Sequence, residues 1–194
     1  PNELNTFAFD NIFFLSYSDT NIIKIVGVDA NDDVSVCKTI SKRMYGNDIT
    51  MGNSIHITPK YILISANRII NENTDNTIYV FRNVKDEYND HFMFSFKHPF
   101  NHLNNEFGDY IIPINEEKFI ISAKEDKYYN SSIIIDIPKT EITLLKNTTE
   151  MAEIRSIYYN SPNIYCVTTD GINMYKDTIV KELDDSELNL LNHM

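Results

Sequence analysis

The chain has 194 residues and a mass of 22.6 kDa, with 17 basic and 28 acidic side chains, so its formal net charge is −11. This length suits one domain or a piece of a larger one, and 42% hydrophobic residues are enough to bury a core, which argues against intrinsic disorder. The densest basic group, Lys38, Lys42 and Arg43, is too small for a nucleic-acid surface, and no apolar run is long enough for a membrane-spanning helix.

The composition also shows a bias, with 28 Ile and 24 Asn against 5 Gly, 5 Ala and no Trp. Such usage is typical of an AT-rich genome, so we interpret the glycosylation sequons at Asn130 and Asn147 as chance matches. Cys37 and Cys166 stand far apart in strand-like runs, which favours two buried thiols in a reducing compartment. We therefore expect an intracellular, cytoplasmic protein.

Strand-like runs follow one another in a repeated order along the chain. Each of four units contains an apolar triplet that ends in a hydroxyl residue, then a polar turn, a second apolar run and a third run that closes the unit. The hydroxyl residues are Ser16, Ser65, Ser122 and Thr168, at separations of 49, 57 and 46 positions. The closing runs are Val34–Lys38, His91–Lys97, Glu141–Lys146 and Thr178–Leu183.

A further run precedes the triplet, so each unit is predicted to contain about four short strands joined by tight turns. The units span residues 6–40, 54–97, 110–146 and 154–183, and residues 184–194 form an acidic tail. Short strands at regular spacing predict an all-β fold, and this period with four strands matches one blade of a β-propeller. A β-sandwich is the alternative, because strand patterning alone does not distinguish stacked sheets from radial ones.

Residues 110–122 and 161–171 resemble the opening of a WD-repeat blade, in which a strand, a polar turn and a second strand ending in a small hydroxyl residue follow one another. The chain departs from that family, because no Gly-His dipeptide opens a blade and Trp is absent. Phe81 and Tyr175 stand near the position where an aromatic residue is expected. The resemblance implies divergent, WD-repeat-like propeller blades across nearly the whole chain.

Four units pose a question of closure, because propellers have roughly 4 to 8 blades. The chain is expected either to close a small ring or to form part of a larger propeller, with missing blades or a second chain completing it. It begins at Pro1 rather than Met, which mildly favours a fragment.

Two segments have the residue types of a metal site. Asp29, Asn31 and Asp33 match the first, third and fifth positions of a calcium loop, but Val34 and Ile40 replace the required Gly and Glu. His98 and His102 stand four apart with His91, Glu106 and Asp109 nearby, but Pro99 fits a loop better than a zinc-binding helix. We predict exposed loops at both places, and no metal or cofactor.

No catalytic residues are predicted, since nucleotide-binding loops and a nucleophile elbow are absent and the repeated hydroxyls fit a structural position, and the sequence does not identify the binding residues. We expect a non-catalytic protein-interaction or scaffolding module whose protein partner has a basic surface. One alternative is a propeller enzyme or small-ligand binder with a site in the central channel. Another is a surface or virion-type protein of an AT-rich parasite or virus.

Overall fold

A computed structural model of the protein describes residues 3–9, 12–18, 22–28, 31, 33–46, 49–70, 73–84, 89–97, 107–122, 132–146, 154–160, 163–168, 171–174 and 177–182. These residues form sixteen β-strands and a short 3-10 helix at Lys42–Met44. In chain order, β1 to β16 are Glu3–Phe9, Ile12–Ser18, Ile22–Val28, Val34–Ser41, Ile49–Ile57, Tyr61–Ile70, Asn73–Arg82, Phe92–Phe96, Tyr110–Pro113, Lys118–Ser122, Ile133–Asp136, Glu141–Lys146, Ile154–Asn160, Asn163–Thr168, Gly171–Met174 and Asp177–Glu182.

The strands pair antiparallel in four sheets, which confirms the all-β prediction. The first sheet has the order β1-β2-β3-β4, and the second has the order β5-β6-β7-β8. The third has the order β16-β12-β11-β10-β9, and the fourth contains β13-β14-β15. Within each sheet, strands that follow one another in the chain are neighbours, and β12 also pairs with β16.

The structure differs from the expected strand order at β16, which corresponds to the run predicted to close the fourth unit. It pairs with β12 of the third sheet, in a register that places Ile179 opposite Leu144 and Val180 opposite Thr143. The pairing with β12 extends over six residue pairs, whereas β15 has only four residues to offer. A longer ladder forms more backbone hydrogen bonds, which accounts for this choice of partner.

Side-chain alternation shows how the sheets are covered. In β3, Ile23 and Ile25 are buried while Lys24 between them is exposed, the pattern of a strand with one covered face. In β6 the consecutive residues Ile62 to Ala66 are all buried, as are Phe119 to Ser122 of β10. Continuous burial along a strand requires material packed on both faces of its sheet.

The second sheet therefore lies between the first and the third sheets. One face packs Ile62, Ile64 and Phe81 against residues of the first sheet such as Ile23 and Ile40. The opposite face packs Leu63, Val80 and Phe96 against residues of the third sheet such as Phe119 and Ile135. The first strand of the second sheet, β5, also contacts β1, β2 and β9. The first strands of three successive sheets, which we call leading strands, therefore lie together.

Candidate interaction face

Three turns at the ends of the second and third sheets form one continuous patch. They are residues 58–60 between β5 and β6, residues 114–117 between β9 and β10, and residues 137–140 between β11 and β12. Residues 83–84, which follow β7, join them. We call these four segments the turn surface.

Thr58 connects the two sheets at this surface. It is fully buried, and its hydroxyl donates to the Glu116 carbonyl at 3.1 Å in the neighbouring turn. The Thr58 amide donates to the Tyr61 carbonyl at 2.8 Å, and the Thr58 hydroxyl accepts from the Tyr61 amide at 3.1 Å. One side chain thus closes its own turn and holds the next one beside it.

Asparagine side chains organise the rest of the backbone. The Asn83 side-chain amide donates to the Thr58 carbonyl at 2.7 Å, and its backbone amide donates to the Lys60 carbonyl at 2.8 Å. The Asn115 side-chain carbonyl accepts from the amides of Glu117 and Lys118 at 2.8 and 2.9 Å, which is how Asn stabilises a tight turn. The backbone of the turn surface is therefore held by hydrogen bonds within and between turns.

Charged side chains pair across the same surface. Lys60 Nζ lies 2.7 Å from Glu117 Oε1 and 3.5 Å from Glu116 Oε2, and the hydrogen bond that Lys60 donates to Glu117 raises the pKa of Lys60. Exposed pairs of this kind stabilise a fold only slightly. One lysine facing two glutamates leaves this group with a net charge of −1, which has the sign of the protein as a whole.

Asp136 is the buried member of a second charged group. Its carboxylate lies 2.9 Å from Lys118 Nζ and 3.6 Å from Lys139 Nζ, and only 8% of its side chain is exposed. Burial alone raises the pKa of Asp136, but the hydrogen bond from Lys118 and the charges of both lysines outweigh this effect and hold it below its usual value. Asp136 therefore stays ionised and anchors both lysines at the edge of the turn surface.

A different polar cluster joins the first and second sheets. Lys38 of β4 is fully buried, and its ammonium donates to the carbonyls of Asp90 and Asn89 at 3.0 and 3.5 Å. The Tyr45 hydroxyl donates to the Asp90 carboxylate, which also accepts from the Phe92 amide at 3.2 Å. We call Lys38, Tyr45 and Asp90 the inter-sheet polar cluster.

Aromatic rings surround this cluster on the side of the second sheet. The Tyr45 ring lies 5.2 Å from Tyr79, 5.8 Å from Phe81 and 5.6 Å from Phe92, measured between centroids. Burial, followed by the hydrogen bond to Asp90, raises the pKa of Tyr45, so its phenol stays protonated and acts as a donor. The arrangement fixes one sheet on the other, and Lys38 and Lys42 are buried rather than part of a basic patch.

Sequence analysis did not identify the inter-sheet polar cluster, although one feature of the sequence indicates a buried lysine. Lys38 and Ile40 stand two apart on β4 and are both buried, so a lysine occupies a position on the apolar face of a strand. The partners of Lys38 lie 51 and 52 residues away along the chain, and only the folded structure brings them together.

The repeated hydroxyl residues occupy the second strand of each sheet, namely β2, β6, β10 and β14. Ser65 is buried and accepts from the Ser54 amide on the neighbouring strand at 2.8 Å. Ser122 is also buried and shares a 2.7 Å hydrogen bond with the Ser132 hydroxyl. These bonds fit the structural role expected for the position; the side chains of Ser16 and Thr168 lie outside the described residues.

The two candidate metal segments are described only in part. Asn31, Asp33 and Asp109 are exposed, and His91 has a positive φ of 53° before β8, whereas Asp29, His98, His102 and Glu106 lie outside the described residues. Among the residues that the structure describes, no three His, Cys, Asp or Glu side chains converge on a metal position. Asn130, Asn147 and the tail at 184–194 lie outside the description, as do the side chains of Cys37 on β4 and Cys166 on β14.

Comparison with known proteins finds no matching family model, no matching curated protein and no matching solved structure. In the described part of the chain, no helix has the length and apolar character needed to cross a membrane.

Proposed function

We propose that the protein is a non-catalytic protein-interaction or scaffolding module, built on propeller-like blades, that binds a protein partner through the turn surface. The observation that carries this proposal is the bonded set of turns joined by Thr58 and Asn83 at the ends of two packed sheets. Binding through loops held on a rigid scaffold is the common use of such a surface.

The packing of the sheets supports a propeller-like arrangement over a sandwich. A two-sheet sandwich covers one face of each sheet, whereas the second sheet here is covered on both faces. The leading strand β5 lies beside β1 and β9, as inner strands of successive blades would. The WD-repeat resemblance remains part of this proposal.

The turn surface has properties that favour binding. Its backbone is already ordered by internal hydrogen bonds, so a partner does not have to fix it on association. Pro59, Asn115 and Pro138 expose their side chains, and Val84 exposes 44% of its surface. Rigid, exposed side chains of this kind suit contact with another protein rather than bond-making chemistry.

The net charge of −11 favours a partner with a basic surface. Opposite charge accelerates association over distances of about 10 Å or less at ordinary ionic strength, and added salt weakens that effect. We therefore expect the complex to form best at low salt.

Charge substitutions on the turn surface test this proposal. Val84→Lys with Pro138→Lys adds two positive charges to the turn surface without breaking an ion pair described there. Met44→Lys with Thr50→Lys adds the same charge elsewhere, at two exposed positions. In pull-downs from a lysate of the organism that encodes the chain, we expect the first variant to lose the basic partner at least several-fold, and the second to retain it.

Two outcomes of the same pull-down would contradict the proposal. If both double variants capture the partner equally well, the turn surface is not the binding face. If the yield is the same in 50 mM and 500 mM NaCl, the partner is not selected by the acidic charge of this protein.

A further inference from the structure

Among the described strands, β15 lies at one edge of the fourth sheet. The meanders of the first three sheets each contain four strands, whereas the described residues of the fourth form β13, β14 and β15. Within the described part of the chain, β15 pairs with β14 alone, and Ile172 at its centre is 72% exposed. An exposed edge with an apolar side chain is a site where another strand can add.

The strand next in sequence lies within reach of this edge. Only residues 175 and 176 separate β15 from β16, the shortest connection commonly found in β-hairpins. Yet β16 pairs with β12 in the third sheet, so these two residues link strands of different sheets. One strand therefore has two edges available to it.

The register shows that the two pairings have opposite advantages. Pairing with β12 gains six residue pairs but places Glu182 directly opposite Glu141, and like charges at opposed positions weaken a strand pair. A two-residue hairpin with β15 would have fewer pairs, would remove this opposition, and would place Ile179 opposite Ile172 instead of Leu144. An apolar neighbour for Ile179 is thus available at either edge.

We propose that β16 is an exchangeable strand that alternates between the edge of β12 and the edge of β15. With β16 on β12, the edge of β15 is open; with β16 on β15, the edge of β12 becomes open instead. The exchange thereby determines which sheet can accept a strand from elsewhere. This inference does not depend on the proposed binding at the turn surface.

Disulfide trapping tests the exchange in the full chain. In a background with Cys37→Ser and Cys166→Ser, the pair Leu144→Cys/Ile179→Cys reports the pairing with β12, and Ile172→Cys/Ile179→Cys reports the pairing with β15. The control pair Met174→Cys/Glu182→Cys places its second thiol five residues beyond Asp177, roughly 16 Å along the strand. Mild oxidation at low protein concentration is followed by non-reducing peptide mapping.

We expect each of the two variants to form its disulfide, 144–179 or 172–179, as an intrachain bond. The control pair should stay reduced. The proposal is overturned if 172–179 forms no faster than the control while 144–179 forms, or if 172–179 forms only between chains. Circular dichroism of each reduced variant verifies that the β-structure is retained.

A charge substitution gives a second, independent measurement. Glu182→Lys converts the opposition with Glu141 into an attraction, which favours the pairing with β12. We expect the rate of 172–179 disulfide formation to fall about two- to fivefold, with Glu182→Gln giving an intermediate rate. An unchanged rate in both variants would also overturn the exchange, because the population on β15 would not respond to the strength of the competing pair.

Discussion

Lys38 places an ammonium group in the contact between the first and second sheets. A buried charge is tolerated only when it is hydrogen-bonded, and here the carbonyls of Asp90 and Asn89 accept from it. In the same short segment, the Asp90 carboxylate accepts a hydrogen bond from the Tyr45 hydroxyl. The segment before β8 is therefore held by two side chains that follow β3.

Removing the ammonium should reveal this role. Lys38→Met keeps the apolar length of the side chain but leaves the accepting carbonyls without their donor, so we expect the free energy of unfolding to fall by about 1–3 kcal/mol. The matched control is Lys24→Met on the exposed side of β3, which should change it by less than about 0.5 kcal/mol. Urea unfolding monitored by circular dichroism measures both, and equal midpoints for the two variants would refute the assignment.

His56 adds a pH dependence at the contact between the second and third sheets. Its ring lies 6.2 Å from Phe119, and burial lowers the pKa of His56 to about 4. In the unfolded chain the pKa of histidine is about 6.5, so between these values the unfolded state binds the extra proton. The contribution of neutral His56 is complete above pH 6.5 and is lost as the pH falls toward 4.

A leucine variant isolates this contribution. His56→Leu cannot be protonated, so the wild type should lose about 3 kcal/mol more than the variant as the pH falls from 7.5 to 4. Urea unfolding of both proteins at several pH values measures the difference, in which the carboxylates common to both proteins cancel. Parallel curves over this range would show that His56 is not held neutral by the fold.

Gly108 determines how the chain enters the third sheet. It has a φ of +98°, and a Cβ built on it would lie 2.7 Å from Ile78 Cδ1 and 2.9 Å from Ser65 Cβ. Its amide donates to the Ser122 carbonyl at 3.2 Å. The turn before β9 thus packs its backbone directly on the second sheet, which only glycine allows.

An alanine substitution separates the two reasons for this glycine. Gly108→Ala combines an unfavourable φ with a steric overlap, and we expect it to lower the free energy of unfolding by about 2–4 kcal/mol. Gly46→Ala has a similar backbone constraint, with φ at 128°, and should cost about 1 kcal/mol. Thermal unfolding compares them, and an equal loss for the two variants would mean that the close approach at Gly108 is unimportant.

Strand positions could be predicted because their signal is local, whereas the partner of β16 could not. Alternation and turn residues placed the triplets at Ser65 and Ser122 on strands, and β6 and β10 contain them. The partner of β16 depends on whether β12 or β15 forms the more stable strand pair with it. No local sequence pattern shows which of the two pairs is more stable. The same limit applies to Thr58, since its acceptor on Glu116 lies 58 positions away.

The second sheet is an internal layer of the protein. Leu63 and Ile64 are adjacent on β6, point to opposite faces and are both fully buried. The periodic runs predicted the β class, but alternation alone did not predict which sheets would be covered on both sides. Of the continuous burial from Ile62 to Ala66, the sequence shows only the apolar triplet Ile62 to Ile64 that precedes Ser65.

Paired substitutions test this layering. We expect Leu63→Ala and Ile64→Ala each to lower the free energy of unfolding by about 2–5 kcal/mol, because each leaves a cavity in a different contact between sheets. Ile172→Ala, at an exposed position, should change it by less than about 0.5 kcal/mol. A sandwich would leave one face of β6 open to solvent, so a near-neutral effect of either core variant would contradict the layered arrangement.

Coverage of β6 on both faces also bears on the order in which the molecule opens. Its backbone is paired with β5 and β7, and the side chains of Ile62 to Ala66 are enclosed by the first and third sheets, so detaching either outer sheet still leaves β6 paired. The amide protons of this strand can therefore exchange with solvent only in openings that involve most of the fold. The slowest exchange rates along β6 would accordingly measure the global stability of the protein.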